Sequence, residues 1–464
     1  MKVHWFKNVF FSCAMVGLAF PLFAQEQLSV FKSVVEQATL HNMKLRNSAL
    51  ENQKVALERE AVKGKLLPSI SVNALYGYTN STIALDLPTQ ELPVLGTQLF
   101  EGAQKASMSS QLAFGGVTAK QVLFSGMQIT HGQKALEKKY EAQQLLMEAG
   151  YEEIASEVVL SFDRLMLLKE VDKLIDDSER RLEKEHLKVT KAIENGLAIP
   201  YDRDKIHLAM LDIESRRAEV ESNRDLLYFL LEEATGMSME ELKLVSYTLE
   251  EILLPVDTEL QMNRKELEAL RISQQALEYV LKKEKGAKLP MAFAFGSVSY
   301  ANAFSTDMTL RDLPVVGDTK LQTNSLRLAP NYLVGVGLKW NVFQGKTHKS
   351  AIERAKIDAQ INANKLVDTE EKLRLLNRKS KADYDLTLRK VAVNKQQRTV
   401  AQNNLTLATR QFQEGLQSVT ERLEAENEYY KQSLAFYNQI LSQRTAAIEM
   451  LKSNGNLYQT IINN

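Results

Sequence analysis

The sequence predicts a mixed fold of long α-helices and transmembrane β-strands, built from one unit used twice. Three observations carry this reading. One string of residues recurs: K-G-K-L-L-P at Lys63–Pro68 and K-G-A-K-L-P at Lys285–Pro290 each precede a strand-like stretch. Each stretch leads to a second one, G-V-T-A-K-Q-V-L-F-S-G ending at Gly126 and G-V-G-L-K-W-N-V-F-Q-G ending at Gly345. Pro68 and Pro290 lie 222 residues apart, while Gly116/Gly335, Phe124/Phe343, Gly126/Gly345 and Gly196/Gly415 all lie 219 apart. A fixed offset over that distance marks a duplication, with the small slip falling in a loop. The other two observations are alternation within the strand-like stretches and long runs free of glycine and proline.

Composition favours helices over a compact β protein, because Gly and Pro are scarce and charged residues make up 25% of the 464. The formal charge is zero, so the basic footprint of a nucleic-acid binder is absent. Residues 1–24 read as a secretory signal. Lys2 and Lys7 form its charged region and Val9–Phe23 its apolar core, too short for a stable membrane span. Cleavage after Ala24 leaves Gln25 first and a net charge of −2. It also removes Cys13, the single cysteine, and with it disulfides, thiol catalysis and cysteine-bound metal. No later segment has about 18 consecutive apolar residues, so the exported chain either stays soluble or enters a membrane as β-structure.

The first repeat, 25–236, opens with a helix near Ser29–Lys63, where Val30, Val34, Leu40, Leu45, Leu50 and Leu57 recur among polar residues until Gly64 and Pro68 stop it. A hairpin spans about 68–124. In its first strand, Pro68–Tyr78, residues Ile70, Val72, Ala74, Tyr76 and Tyr78 point one way and Ser69, Ser71, Asn73 and Gly77 mostly the other. A polar loop with Leu87-Pro88 and Leu92-Pro93 leads to a second strand at about Ser109–Phe124. From Ile129 to Glu194 there is no proline and only two glycines, Gly132 and Gly150, which predicts a helix roughly 100 Å long at 1.5 Å per residue. Met147, Ile154, Leu168, Ile175, Leu182 and Val189 keep a seven-residue register with Ser161 in its gap, the mark of coiled-coil packing. The helix turns at a tip near Gly196 and returns over Leu197–Ala234.

Residues 237–258, with Pro255, read as a linker holding a short helix. The second repeat, 259–464, repeats the plan: a helix at about 259–285, a hairpin at about 290–343, a breaker-free helix at about His348–Gln413, a tip near Gly415 and a return over Leu416–Ser453. Tyr332, Val334, Val336, Leu338, Trp340 and Val342 alternate against Asn331, Gly335, Gly337, Lys339 and Asn341. Alternation alone fits a half-buried sheet in a soluble domain as well as a tilted membrane crossing. Leu386, Val393, Val400 and Leu407 continue the heptads, and Val158, Leu165, Leu373 and Val391 supply a second packing face that suits a wall of helices. The tail after Gly455 shows no pattern. Four strands cannot close a barrel, since the smallest single-chain membrane barrels use eight. If these strands cross a membrane, three copies would give twelve, with the helices forming a second barrel below.

This arrangement resembles the TolC-like outer-membrane efflux family over nearly the whole exported chain. The resemblance rests on L-P before each hairpin, the L-F-S-G and V-F-Q-G strand ends, the G-L turns at Gly196 and Gly415, A-T-G at Ala234–Gly236 and N-R-K-E-L at Asn263–Leu267. It implies a homotrimer with a twelve-stranded barrel in the outer-membrane lipid and a helical barrel through the periplasm. It further implies a passive exit duct that docks a periplasmic adaptor protein and is driven by an inner-membrane pump. Family members with an acidic constriction carry carboxylates six and nine residues after the tip glycine. Those places here hold Glu421 and Glu424, three apart on one helix face. The first repeat departs from this, with Asp202 followed by Lys205. Lys205 either faces the channel or ties tips together. Ser418-x-x-Glu421 is equally a capping box. The exposed turns Gly196-Leu197 and Gly415-Leu416 are the expected adaptor-docking tips.

Catalytic, cofactor and metal sites are not expected. The histidines His4, His41, His131, His186, His207 and His348 show no metal-ligand spacing on a helix face, and G-x-S-x-G and P-loop patterns are absent. The exit channel of a type I protein secretion system is the alternative within transport. A periplasmic coiled-coil scaffold is the alternative outside it, though it has no use for duplicated, alternating hairpins.

Overall fold

The computed structural model describes residues 27–86, 90–91, 98–100, 103–255, 264–313 and 317–463. The secretory signal 1–24, both loop L-P pairs and Asn263 lie outside the described residues. Two units are present. One, helical, comprises residues up to Lys54, Tyr140–Ser273 and residues from Ile361; the other, Val55–Lys139 and Gln274–Gln360, holds the sheet. In chain order the elements are α1 (Lys32–His41), α2 (Met43–Gly64), β1 (Ser69–Asp86), β2 (Gln90–Glu91), β3 (Gln98–Phe100), β4 (Ala103–Phe124), α3 (Gln128–Glu194), α4 (Pro200–Thr235) and α5 (Met239–Leu244). There follow α6 (Lys265–Gly286), β5 (Met291–Leu313), β6 (Gly317–Lys339), α7 (Thr347–Gln413), α8 (Val419–Asn454) and α9 (Leu457–Ile462). The duplication is visible in the lengths: α3 and α7 both have 67 residues, and α4 and α8 both have 36.

In the helical unit, the α3 heptad residues Ile154, Ile175, Leu182 and Val189 are buried. Towards the hairpin turns Ile175, Leu182 and Val189 meet Ile206, Ile213 and Val220 of α4 and Val419 and Tyr430 of α8. Further along, Phe162 of α3 packs with Phe31, Leu231, Ile252 and Ile448. The segment after α5 is held there by polar clamps. The Ile252 amide donates to Gln443 Oε1 at 3.0 Å, Gln443 Nε2 returns a bond to the Ile252 carbonyl at 2.8 Å, and the Leu254 amide donates to the Tyr384 hydroxyl at 2.8 Å. Beneath it the fully buried Arg444 donates from Nε to Asp163 at 2.7 Å, and the Tyr247 hydroxyl donates to the same carboxylate. The Glu250 carbonyl takes Arg444 Nη1 at 2.9 Å, while Asp163 Oδ2 accepts no hydrogen bond among the described residues.

Two expectations need correction here, and a third observation concerns the second heptad seam. The helix expected over 29–63 breaks at Asn42, whose extended backbone (ψ 112) ends α1 while its side-chain oxygen accepts the Leu45 amide at 3.0 Å and starts α2. Asparagine does this because its short polar chain substitutes for a missing backbone partner. The patternless tail contains α9, whose Leu457 and Ile461 are fully buried one helical turn apart. The α7 seam Leu386, Val393, Val400 and Leu407 is exposed in the chain, whereas Leu373 and Val391 are buried. The helix therefore uses its other face for internal packing.

The sheet is antiparallel in the order β1-β4-β5-β6, leaving β1 and β6 as edges. The strands have 18 to 23 residues, longer than the alternation suggested. The added residues, such as Thr79–Ser81, are polar in succession and give no period to read. Trp340 and Val342 fall beyond the end of β6, and the Trp340 indole donates to the Lys288 carbonyl at 3.1 Å. Registers Ile70↔Ala119, Val72↔Val117, Val117↔Val298, Gly296↔Val334 and Ala294↔Val336 put the exposed Ile70, Val72, Val334 and Val336 on one face. The other face carries Ser69, Ser71, Asn73, Thr118, Lys120, Ser297 and Ser299, interrupted by Leu75, Phe114 and Leu333. On it Phe293 lies over Gly337 and Phe295 over Gly335, where a Cβ would stand 3.2 Å from the Phe295 ring. Aromatic rings commonly fill the space that strand glycines leave.

Candidate functional site

The residues singled out by the sequence converge on two helix-turn-helix tips of the helical unit. Each tip is closed by the same backbone device. At the first, the Gly196 amide donates to the Ile193 carbonyl at 3.0 Å and the Leu197 amide to the Ala192 carbonyl at 2.8 Å. At the second, Gly415 donates to Phe412 at 3.1 Å and Leu416 to Gln411 at 2.8 Å. This is the Schellman closure, which needs a left-handed residue, and Gly196 and Gly415 have φ of 70 and 72. Nothing lies within 4 Å of a Cβ at either glycine, so the requirement is conformational and not steric. The leucine after each glycine ordinarily packs back on its helix. Here Leu197 and Leu416 are 82% and 74% exposed, leaving two apolar side chains at the tips in water.

The returning helices start differently. Pro200 opens α4, with Ile199 offering no side-chain cap and Asp202 half-buried in the first turn. Ser418 opens α8 in a full capping box: its Oγ accepts the Glu421 amide at 3.3 Å, and Glu421 Oε2 accepts the Ser418 amide at 2.8 Å and its hydroxyl at 2.9 Å. The Ser418 amide, followed by the Ser418 hydroxyl, holds the Glu421 carboxyl below the usual glutamate value. Glu421 is thus engaged by its cap, while Glu424 is exposed one turn on and forms no ion pair among the described residues. Lys205 crosses from the first tip to the second, donating from Nζ to Thr420 Oγ1 at 2.6 Å above the Tyr201 ring. This contact links the two tips within one chain.

Sequence reasoning missed a buried cluster just behind the tips. Glu426 of α8 accepts Arg181 Nη2 of α3 at 2.8 Å and Ser178 Oγ at 2.9 Å, and Arg422 Nη2 lies 3.1 Å from its other oxygen. Arg422 and Glu426 are almost wholly buried. Hydrogen bonding and attraction to Glu426 raise the Arg181 guanidinium against the opposing effect of its burial, the largest single influence on it. The signal was present: both residues fall in the stripe Val419, Arg422, Glu426, Tyr430 that otherwise faces the core. Removing one member of a buried ionic group typically costs about 3–5 kcal/mol, so this cluster fixes how α3 and α8 meet.

Among the described residues no cluster of three or more potential metal ligands occurs, and no helix is long and apolar enough to cross a membrane. No family model and no curated protein matches the chain. Solved structures do. The outer-membrane channel OprN matches with a TM-score of 0.71 at 15% identity, over 94% of this chain and 92% of that one. The Campylobacter jejuni CmeC outer membrane channel gives 0.69 at 13%, over 92% and 86%. The open state of the Neisseria gonorrhoeae MtrE outer membrane channel gives 0.65 at 13%, over 92% and 89%. At such identities the likeness is one of fold, and it spans nearly the whole chain. The chain thus has the fold of the TolC-like outer-membrane channel proteins.

Proposed function

We propose that the protein is a passive outer-membrane exit duct of an envelope-spanning efflux system. Three copies close a twelve-stranded barrel in the outer membrane, and their helices line a periplasmic barrel. The observation that carries this reading is the sheet. It is open, its edges β1 and β6 are unpaired, and one face bares Ile70, Val72, Val334 and Val336. In lipid each unpaired edge group costs several kcal/mol, so neighbouring copies must pair them. The outward heptads of α7 offer a second surface for the same neighbours. A coiled-coil scaffold would leave the apolar sheet face without a role.

In this reading Glu421, Glu424 and Asp202 surround the periplasmic aperture. The turns Gly196-Leu197 and Gly415-Leu416 meet a periplasmic adaptor that couples the duct to an inner-membrane pump. Bare leucines on a fixed turn suit a partner with apolar pockets. The same duct serves type I protein secretion, and the pump encoded beside it tells the two apart.

Native mass spectrometry of detergent-extracted protein tests the assembly, with three chains expected and ion current expected on reconstitution into planar bilayers. Crosslinkers at Leu197 and Leu416 should capture the adaptor. A stable monomer embedded in the membrane overturns the architecture; tips that capture no adaptor overturn the docking.

A further inference from the structure

The sheet unit holds a cavity of about 700 Å³ where α2, α3 and α6 meet the strand ends. That is the size of a small-molecule site. Its walls are mostly apolar, with Val62, Leu136, Val280 and Met291 among them, and its only charged groups are Lys65, Lys120 and Lys283. Lys283 is paired with Glu284 at 3.0 Å. Lys65 and Lys120 form no ion pair among the described residues, and Lys120 instead stands 4.0 Å over the Phe293 ring. The strand residues that reach the cavity, Ser69, Lys120, Val122 and Met291, all belong to the face opposite Ile70 and Val336. In the duct reading, on which this inference rests, that face lines the lumen.

We propose that this cavity binds an amphipathic anion from the lumen: an apolar body lodges between the helices and an acidic head group meets Lys65 and Lys120. Charge complementarity selects the head, since no carboxylate lines the cavity to repel it or to neutralise the lysines. Apolar walls select the body. An outer-membrane lipid is the less suited occupant, because the cavity belongs to the face turned away from the bilayer.

The test uses the full protein in nanodiscs of uncharged lipid, with empty discs subtracted. The probes are anilinonaphthalene sulfonate and its uncharged analogue phenylnaphthylamine, both of which fluoresce on apolar burial. The sulfonate should bind more tightly than the analogue. Lys65→Met with Lys120→Met should weaken the sulfonate roughly tenfold, the scale of a charged contact, and leave the analogue unchanged. Gly132→Leu should weaken both, because a Cβ there already stands 3.5 Å from Val62 and a longer side chain fills the space. In planar bilayers the sulfonate should reduce current through the wild type and not through the double variant.

Equal binding of the two probes, or a sulfonate affinity indifferent to both lysines, overturns the site. So does a stoichiometric phospholipid that the sulfonate displaces. Normal current without probe binding rejects this inference alone, whereas selective binding with no current under any condition rejects the duct.

Discussion

Gly126 and Gly286 touch backbone to backbone: a Cβ built on either would fall under 3.0 Å from the carbonyl oxygen of the other. The elbow from β4 to α3 and the elbow from α6 to β5 therefore cross where neither chain has a side chain. Gly286→Ala should cost about 1–3 kcal/mol, because the obstacle is backbone and cannot rotate away. The repeat adds a sharper expectation. The counterparts of this pair are Gly345 and Gly64, and neither has any neighbour within 4 Å of a built Cβ. In a closed ring the two would cross between adjacent copies. Gly64→Ala should leave the single chain folded, as judged by circular dichroism, and reduce the trimer yield in native mass spectrometry. A trimer yield equal to wild type would reject the between-copy crossing.

Val336 stands 79% exposed on the apolar face, three residues before the end of β6. Val336→Arg should cost roughly 2–4 kcal/mol per chain in lipid, and outer-membrane levels should fall sharply. Gly337, its neighbour on the other face, lies under Phe293, so Gly337→Val should fail by steric conflict in detergent as well as in lipid. Sedimentation through a density gradient after membrane fractionation separates the two outcomes.

Glu421 and Glu424 should give the aperture its charge. In the proposed trimer, three copies would bring six carboxylates together, a ring that would attract cations and exclude anions. The double change to Gln should lower cation selectivity and block by multivalent cations in single-channel recordings, with trimers retained. The Ser418 bonds hold the Glu421 carboxyl below the usual value, so its capping contribution is present above the free glutamate value and is lost as pH falls through the bound one. Glu421→Gln should blunt that acid sensitivity of the tip, and Glu424→Gln should not. Selectivity unchanged in the double variant would falsify the aperture role and leave the duct standing.

Glu152 gives a pH dependence of the opposite sign. Burial, working against bonds from the Tyr458 and Leu457 amides, raises its carboxyl from 4.5 to about 7. A raised acid contributes stability below its unfolded value that is lost as pH rises through the folded one. Melting temperature should decline between about pH 4.5 and 7 in the wild type. Glu152→Gln should flatten that segment of the profile. An unchanged slope in the variant assigns the decline to another group.

The duplicated plan was legible because strand alternation and heptads depend on residue type alone. Gly196 and Gly415 were legible because a left-handed turn narrows the choice of residue. What escaped needed a tertiary partner. Asn42 looks like an ordinary helix residue until its side chain turns to Leu45. Leu457 and Ile461 are too short a pattern to read without the Glu152 cap. Arg422 and Glu426 break an apolar stripe, and only the neighbouring Arg181 and Ser178 explain why. The second heptad was found, but periodicity cannot say whether a seam meets its own chain or another. Lys205 was visible as a departure from the acidic pattern, and Thr420 supplied its purpose.

The outward row Leu386, Val393, Val400 and Leu407 has a kinetic consequence. In the proposed ring, hiding it requires a second molecule, as does capping the edges β1 and β6, so the last step of maturation would be a collision. Its rate rises with a power of concentration above one, while each waiting chain presents two adhesive surfaces that pair indiscriminately. The yield of correct assembly should therefore pass through a maximum as synthesis rate increases: too slow leaves chains to proteolysis, too fast leaves them to one another.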